Sequence, residues 1–334
     1  MTSSSVGTDA FPLTERVVAN GDVTLRVIEQ GSGPAVLFCH GFPETADTWR
    51  SQMLAVARAG YRAVALDMRG HGASSAPVDP ALYTSLHTVG DLIAVLDTLD
   101  IEAAVIVGHD WGADHAQRAA VMRPDRVRAI VSMSIPFAPR GEMSHWDALR
   151  AEGLGDRYYA LDMLRDDADS DFPPTADTVA SILYWLSASP DPGEGWDPID
   201  ARRSMLRPAP DPAPAWIDPE YLDRLVGAIG RSGFRGGLNH YRAVQASFDL
   251  TAAFRNVVIT QPSLYIWGAD DGLSRFFHPE TPTLSELRHA QPGLVDQIRL
   301  EGVGHWIHQE APSRLNEAIL GFLEHLDWSE ERWW

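Results

Sequence analysis

The sequence predicts an α/β fold: a mostly parallel sheet with helices on both faces, interrupted by an inserted, mainly helical cap. Two observations carry the core. Apolar runs at 35–41, 61–67, 103–108 and 127–134 have the unbroken character of strands buried on both faces. Helix-spaced stretches at 47–59, 88–99 and roughly 111–122 separate them, and parallel pairing requires such crossovers. A third observation gives the insertion. From about 138 to 250 the sequence is irregularly helical with no buried-strand run, and the strand rhythm returns only with SLYIWG (263–268) and QIRLEG (297–302).

The elements follow in order. RVVAN-GD-VTLRVIEQ (16–30) reads as a hairpin around Asn20-Gly21-Asp22. AVLFCHG (35–41) is the first buried strand, and Asp47 is the expected N-cap of the helix after it. YRAVALD, AAVIVG and VRAIVSMS supply the next three strands. Between Ser189 and Pro219 lie eight prolines with Asp and Gly among them, so this stretch is no long helix and reads as a solvated loop. A last amphipathic helix covers about 313–326. The expected organisation is a core over 1–137 and 251–334 with a cap over 138–250, and an active site between them at the carboxyl ends of the strands.

Composition narrows the chemistry. All 27 basic residues among the 334 are Arg, and the absence of Lys excludes a Walker A loop, a pyridoxal Schiff base and a Ser–Lys dyad. The net charge of −19 disfavours attraction to nucleic acid or an anionic membrane face. Apolar runs are too short to span a bilayer, the N-terminus has no signal-peptide pattern, and Cys39 stands alone; together these predict a cytoplasmic protein. Trp328, Trp333 and Trp334 either pack back on the core or form a self-association patch, so a monomer or a homodimer is expected.

The strongest chemical signal is Gly108-His109-Asp110-Trp111-Gly112, between a buried strand and a helix, where a G-x-S-x-G nucleophile elbow is expected. The glycines permit a tight turn that holds the middle side chain out at the sheet edge, and here that side chain is Asp. Its carboxylate lies over a helix N-terminus, whose dipole and free N–H groups favour the ionised form. His40-Gly41-Phe42-Pro43-Glu44 follows the first buried strand at the same edge. The backbone N–H groups of Phe42 and Trp111 are the expected oxyanion-hole donors. Trp267-Gly268-Ala269-Asp270-Asp271 ends a strand in an acidic turn, and Gly304-His305-Trp306 follows the next strand. The chain order Asp110, Asp271, His305 is that of nucleophile, acid and base. Asp270 and Asp271 both compete to orient His305; the W-G-x-x-D spacing favours Asp271.

Taken together, these segments resemble a soluble, Asp-nucleophile epoxide hydrolase of the α/β-hydrolase fold. The resemblance spans almost the whole chain: HGFPE at 40–44, DMRGHGASSAP at 67–77, GHDWG at 108–112, the acidic turn and GHW at 304–306. The stretch SGFRGGLNHYR (232–242) resembles the cap segment carrying one of the family's two ring-opening tyrosines, which places that role on Tyr241. The other lies earlier, in a Y-x-x-Y-F type segment, where this chain has Gly155-Asp156-Arg157-Tyr158-Tyr159. One match puts Gly155 at the catalytic position and removes the tyrosine; the preferred match keeps the role on Tyr158. Tyr184 is a further candidate on a buried cap helix. Trp111, Phe42, Tyr184 and Trp306 are the side chains expected to touch substrate.

The resemblance implies a mechanism that suits these residue types. A carboxylate displaces at an sp³ carbon and leaves an ester that water can cleave. Asp110 would attack a ring carbon of a small apolar epoxide while Tyr241, helped by Tyr158, protonates the ring oxygen. His305, oriented by Asp271, would then activate water. No metal or organic cofactor is expected: His109, Asp110, Asp114 and His115 cluster, and His305 and His308 are three apart, but neither spacing matches a ligand motif. A haloalkane dehalogenase would use the same Asp, His and Asp with Trp111 holding halide, but would not need Tyr241. A non-catalytic ligand-binding protein of this fold would need none of the set.

Overall fold

The computed structural model of the chain describes residues 11–155 and 157–328. The first ten residues, Asp156, and the terminal Trp333 and Trp334 lie outside the described residues.

One eight-stranded sheet runs in the order β1-β2-β4-β3-β5-β6-β7-β8. β1 (Thr14–Asn20) and β2 (Val23–Gly31) form the antiparallel hairpin, and β2 pairs antiparallel with β4 (Arg62–Leu66). Beyond this edge the sheet is parallel through β3 (Ala35–Cys39), β5 (Ala104–His109), β6 (Val127–Met133), β7 (Ser263–Gly268) and β8 (Leu294–Leu300). Side chains alternate across each strand, so the unbroken apolar runs feed both faces. Leu37, Val64 and Ile106 pack into one core cluster, while Val36, Phe38, Val105 and Val107 pack into another. The crossovers are α1 (Arg50–Arg58), α2 (Ser85–Thr98) and α3 (Trp111–Met122).

Between β6 and β7 the chain leaves the sheet. It forms α4 (His145–Ala151), α5 (Tyr159–Asp162), α6 (Ala176–Leu186), α7 (Pro219–Ser232), α8 (Arg235–Arg242) and α9 (Val244–Leu250). These helices bury their own apolar cluster, including Trp146, Leu183, Leu225, Phe234 and Leu238. After β7 come α10 (Gly272–Phe277) and α11 (Leu284–Leu287), and after β8 come α12 (Ile307–Glu310) and α13 (Pro312–Glu324).

Two expectations are corrected. Asp47 caps no helix: a 3-10 turn at Ala46–Trp49 precedes α1, and the Asp47 carboxylate instead binds Arg26 at 2.9 Å and Arg50 at 2.5 Å. The electrostatic alternative outcompeted the cap. The proline-rich stretch 189–219 is not simply solvated, because it sinks Trp196, Met205 and Ile217 into the cap's apolar cluster. Its prolines forbid regular helix without preventing apolar burial. Trp328 packs on Tyr61 with ring centroids 5.4 Å apart, the core-packing alternative for that residue.

Candidate active site

The chemistry-bearing residues meet at the carboxyl ends of the parallel strands, as loops leaving β3, β5, β7 and β8 converge there. Asp110 stands between β5 and α3 with φ 54° and ψ −122°. A non-glycine residue in that region is strained by about 1–3 kcal/mol and is held there by its surroundings. The surroundings leave no slack: a Cβ on Gly112 would lie 2.0 Å from the Cys39 carbonyl oxygen, and one on Gly41 would lie 2.3 Å from the Asp110 Cβ. Any larger residue at either position would push the carboxylate out of place.

The Asp110 carboxylate is buried, and its Oδ1 accepts the Phe42 N–H at 2.9 Å. Burial raises the carboxyl's pKa, while His305 and the backbone N–H groups of Phe42 and Trp111 pull against that rise. The two expected oxyanion donors thus both face the nucleophile's own carboxyl group. Opposite it, His305 Nε2 lies 3.9 Å from Asp110 Oδ2, and His305 Nδ1 lies 3.1 Å from Asp271 Oδ2. Asp271, fully buried, also accepts the Leu273 N–H at 2.9 Å and the Ser274 hydroxyl at 2.9 Å. Asp270 points to solvent. Burial alone would depress His305, but Asp271 and then Asp110 more than offset it and lift its pKa to about 9.

A cavity of about 430 Å³ opens onto Asp110 and Trp111, walled by Tyr158, Tyr159 and Tyr241 from the cap and by Leu273 and Phe277. Tyr241 sits near the end of α8, its ring centroid 4.8 Å from that of Trp111 and 6.3 Å from that of Tyr159. The Tyr159 and Tyr241 phenols act on one another's protons across the cavity, and the Trp111 side chain, edge-on to the Tyr241 ring, acts on Tyr241 as well. Burial above all, and then nearby negative charge, pushes both phenols up, so both are protonated at neutral pH.

Sequence reasoning did not nominate Tyr159, which lines the cavity beside the expected Tyr158. The Tyr158 ring lies 5.0 Å from that of Phe276, and burial first, then Asp110 and Asp271, push its phenol up as well. Two adjacent tyrosines point differently because Tyr158 is the residue before α5 and Tyr159 its first, with the Tyr159 N–H held by the Pro198 carbonyl at 2.8 Å. That contact comes from a loop forty residues away, and no local spacing announces it.

Three expected substrate contacts are corrected. Tyr184 faces Trp185 at 4.8 Å and does not line the cavity. Trp306 is fully buried behind His305, with its indole N–H given to the Leu183 carbonyl at 2.9 Å. The Phe42 ring packs against Phe172, Phe234 and the back of Tyr241, so only its backbone N–H faces the site. In each case apolar packing claimed a ring that the sequence left free.

Glu44, His109 and His308 are the described residues whose ligand atoms come together, all within 4.8 Å and all buried. Glu44 Oε1 already accepts from Thr48 at 2.6 Å and Tyr221 at 2.7 Å, and meets His308 Nε2 at 2.8 Å. Burial opposes its charge, yet His308 and His109 hold it well below the usual carboxylate range. These groups form a buried polar support beneath the site, in which Glu44 Oε2, His109 Nδ1 and His308 Nδ1 make no hydrogen bond among the described residues. His109 extends the support to the base, since its Nε2 meets the His305 carbonyl at 2.9 Å.

Residues 34–312 match the model of the alpha/beta hydrolase fold family. The chain is 49% identical over 310 residues to an epoxide hydrolase of Caballeronia sordidicola, covering 93% of each chain. It is 35% identical to epoxide hydrolase A of Mycobacterium tuberculosis, covering 94% of this chain and 98% of that one. Among solved structures, an epoxide hydrolase from an endophytic Streptomyces superposes with a TM-score of 0.84 at 35% identity, covering 93% and 95% of the two chains.

Proposed function

We propose, from the premise that this chain belongs to the alpha/beta hydrolase fold family and there to the epoxide hydrolases, that it converts a small apolar epoxide to a vicinal diol through an ester on Asp110. The observation that carries this reading is the set of protonated cap phenols, Tyr159 and Tyr241 with Tyr158 beside them, lining the cavity that opens onto a buried carboxylate. An epoxide oxygen needs a proton as it leaves; a halide does not. A dehalogenase therefore uses less of what is here.

In the first step Asp110 attacks a ring carbon and the C–O bond breaks. The ring oxygen takes a proton from the phenol pair, with Tyr241 and Tyr159 in the roles first assigned to Tyr241 and Tyr158. Ester formation removes the charge of Asp110, one of the carboxylates, with Asp271 and Glu44, that keep His305 protonated. The imidazolium then gives up its proton more readily, returning one to the phenolate left by ring opening, and serves as base. In the second step His305, oriented by Asp271, draws a proton from water, which attacks the Asp110 carbonyl. The Phe42 and Trp111 N–H groups stabilise the oxyanion, a contribution of about 3–4 kcal/mol per donor in well-measured cases. Collapse expels the alkoxide, which takes the remaining proton of the Asp110 carboxyl group, so the diol leaves and the carboxylate is restored.

The reading assigns the core to residues 1–137 and 251–334 and the cap to 138–250, with catalysis at their junction. It includes a cytoplasmic location, supported by the single, buried Cys39. Among the described residues no helix is long and apolar enough to cross a membrane.

One experiment tests the covalent route. In a single turnover in ¹⁸O-labelled water, the first diol should carry unlabelled oxygen from Asp110, and Asp110→Ala should give no diol. A first diol carrying only solvent oxygen sinks the ester. Release of halide from a matched primary halide, without diol from the epoxide, would move the protein to the dehalogenases.

A further inference from the structure

We propose that Glu310 is a positioning residue for His305: its carboxylate clamps the backbone on both sides of the base and ties the same loop to the cap. Cap docking and base alignment are then one event. The proposal rests on His305 acting as base in the ester-cleaving step.

His305 stands on the short connection between β8 and α12, outside any regular element, so the amides around it must find acceptors elsewhere. Three consecutive amides do. The Gly304 N–H donates to Glu310 Oε2 at 3.0 Å and the Trp306 N–H to Glu310 Oε1 at 2.9 Å. Between them, the His305 N–H donates to the Leu186 carbonyl, at the end of α6, at 2.9 Å. The cap answers from its side: the Ala188 N–H reaches Glu310 Oε2 at 2.8 Å. Packing is as close as the hydrogen bonds imply, since a Cβ on Gly304 would lie 2.4 Å from the Ala188 nitrogen. One carboxylate therefore takes three backbone amides, two flanking the base and one from the cap.

Only a carboxylate can do this. It offers two acceptor oxygens and no donor, and its charge shortens and strengthens each bond. Glutamine keeps one acceptor and turns an N–H₂ against a backbone N–H, so at least one flanking amide is lost. His305 has little tolerance for that loss, because it must stay 3.1 Å from Asp271 while reaching toward Asp110 at 3.9 Å. The first chemical step needs Asp110 and the phenols but not an aligned His305. The clamp should therefore matter to the second step above all.

Rapid-quench single turnover with a terminal aryl epoxide, following both ester and diol, tests this on wild type, Glu310→Gln and Ala188→Pro. The last variant acts from the cap side: it removes the Ala188 N–H and sets the proline ring where that hydrogen met Glu310 Oε2 at 2.8 Å, pushing the carboxylate off the loop, while Ser187 before it already has the extended backbone that a following proline requires (φ −80°, ψ 176°). In Glu310→Gln, ester cleavage should slow about tenfold or more while ester formation stays within about threefold, the size expected for a displaced catalytic group. Ala188→Pro should show the same split, from the cap side. The pH midpoint of ester cleavage should fall as His305 loses its alignment with Asp271. Equal slowing of both steps, or a lower melting temperature with both steps intact, overturns the proposal and leaves Glu310 a structural residue. A wild type that forms no ester defeats the covalent reading instead. The clamp is then decided by direct NMR titration of His305: a lowered pKa in Glu310→Gln supports it, an unchanged one refutes it.

Discussion

At the scale of single residues, the site is a set of opposed charges whose balance changes during the reaction. With Asp110 and Asp271 both ionised, His305 titrates at about 9 and is an imidazolium at neutral pH. Once Asp110 is an ester, Asp271 and the more distant Glu44 still hold the proton on, with less total charge. Ester cleavage should therefore reach its half-maximal rate at a pH below the midpoint of His305 in the free protein. Comparing the pH profile of ester decay with an NMR titration of the free protein checks this, and coincident midpoints would refute it. The phenols divide similarly. Tyr159→Phe and Tyr241→Phe should each slow ester formation about a hundredfold or more, the usual worth of a positioned general acid, while Tyr158→Phe should cost far less. Burst kinetics on the three variants settles which pair acts. Asp110, Asp271, His305 and Tyr241 were legible because each sits in a short segment whose neighbours are fixed by the turn they make. Tyr159 was not, because the choice between adjacent tyrosines depends on where α5 begins, and a distant Pro198 carbonyl decides that.

At the scale of elements, the cap helix that carries Tyr241 is seated by backbone contact. The alternating strands and helices of the core were readable in order because parallel pairing leaves a strong periodic mark. The seating of α8 left none: Gly236 and Gly70 touch so closely that a Cβ on Gly236 would lie 2.4 Å from the Gly70 Cα. Neither glycine stands out in a sequence rich in them. Gly236→Ala must lift α8, and with it Tyr241, off the core, at a cost in stability of about 1–3 kcal/mol. Ester formation should suffer out of proportion, by about tenfold or more, because the phenol and the Asp110 carboxylate can no longer hold one epoxide between them. Denaturation and burst kinetics on this variant measure the two effects separately. Unchanged burst kinetics would mean that the cap is seated elsewhere.

At the scale of the whole molecule, cap and core also meet through four imidazoles. His40, His71 and His115 belong to the core and His240 to α8, with His115 Nε2 at 3.2 Å from His240 Nδ1 and the His71 ring 4.9 Å from His40 and 5.5 Å from His240. All four are buried. Burial first, and then the neighbouring imidazoles or the nearby arginines, presses their pKa values down: to about 4 for His40 and His115, to about 3 for His71, and well below 6.5 for His240. A histidine depressed on folding contributes stability that is present above its unfolded value, about 6.5, and lost as the pH falls toward its folded value. Each such group sets a slope of about 1.4 kcal/mol per pH unit within that window, so four together can consume the whole stability of an ordinary domain between pH 6.5 and 4. His305 works in the opposite sense: its raised pKa contributes stability below about 6.5 that is lost as the pH rises through 9. Stability should therefore peak near neutral pH and fall steeply on the acid side, with net proton uptake on unfolding. Urea denaturation at pH 7, 6 and 5 gives the slope. His115→Gln, which removes one titrating ring from the group and leaves the catalytic residues in place, should flatten it. Equal stability at pH 7 and 5 would refute the depression of these rings' pKa values on folding.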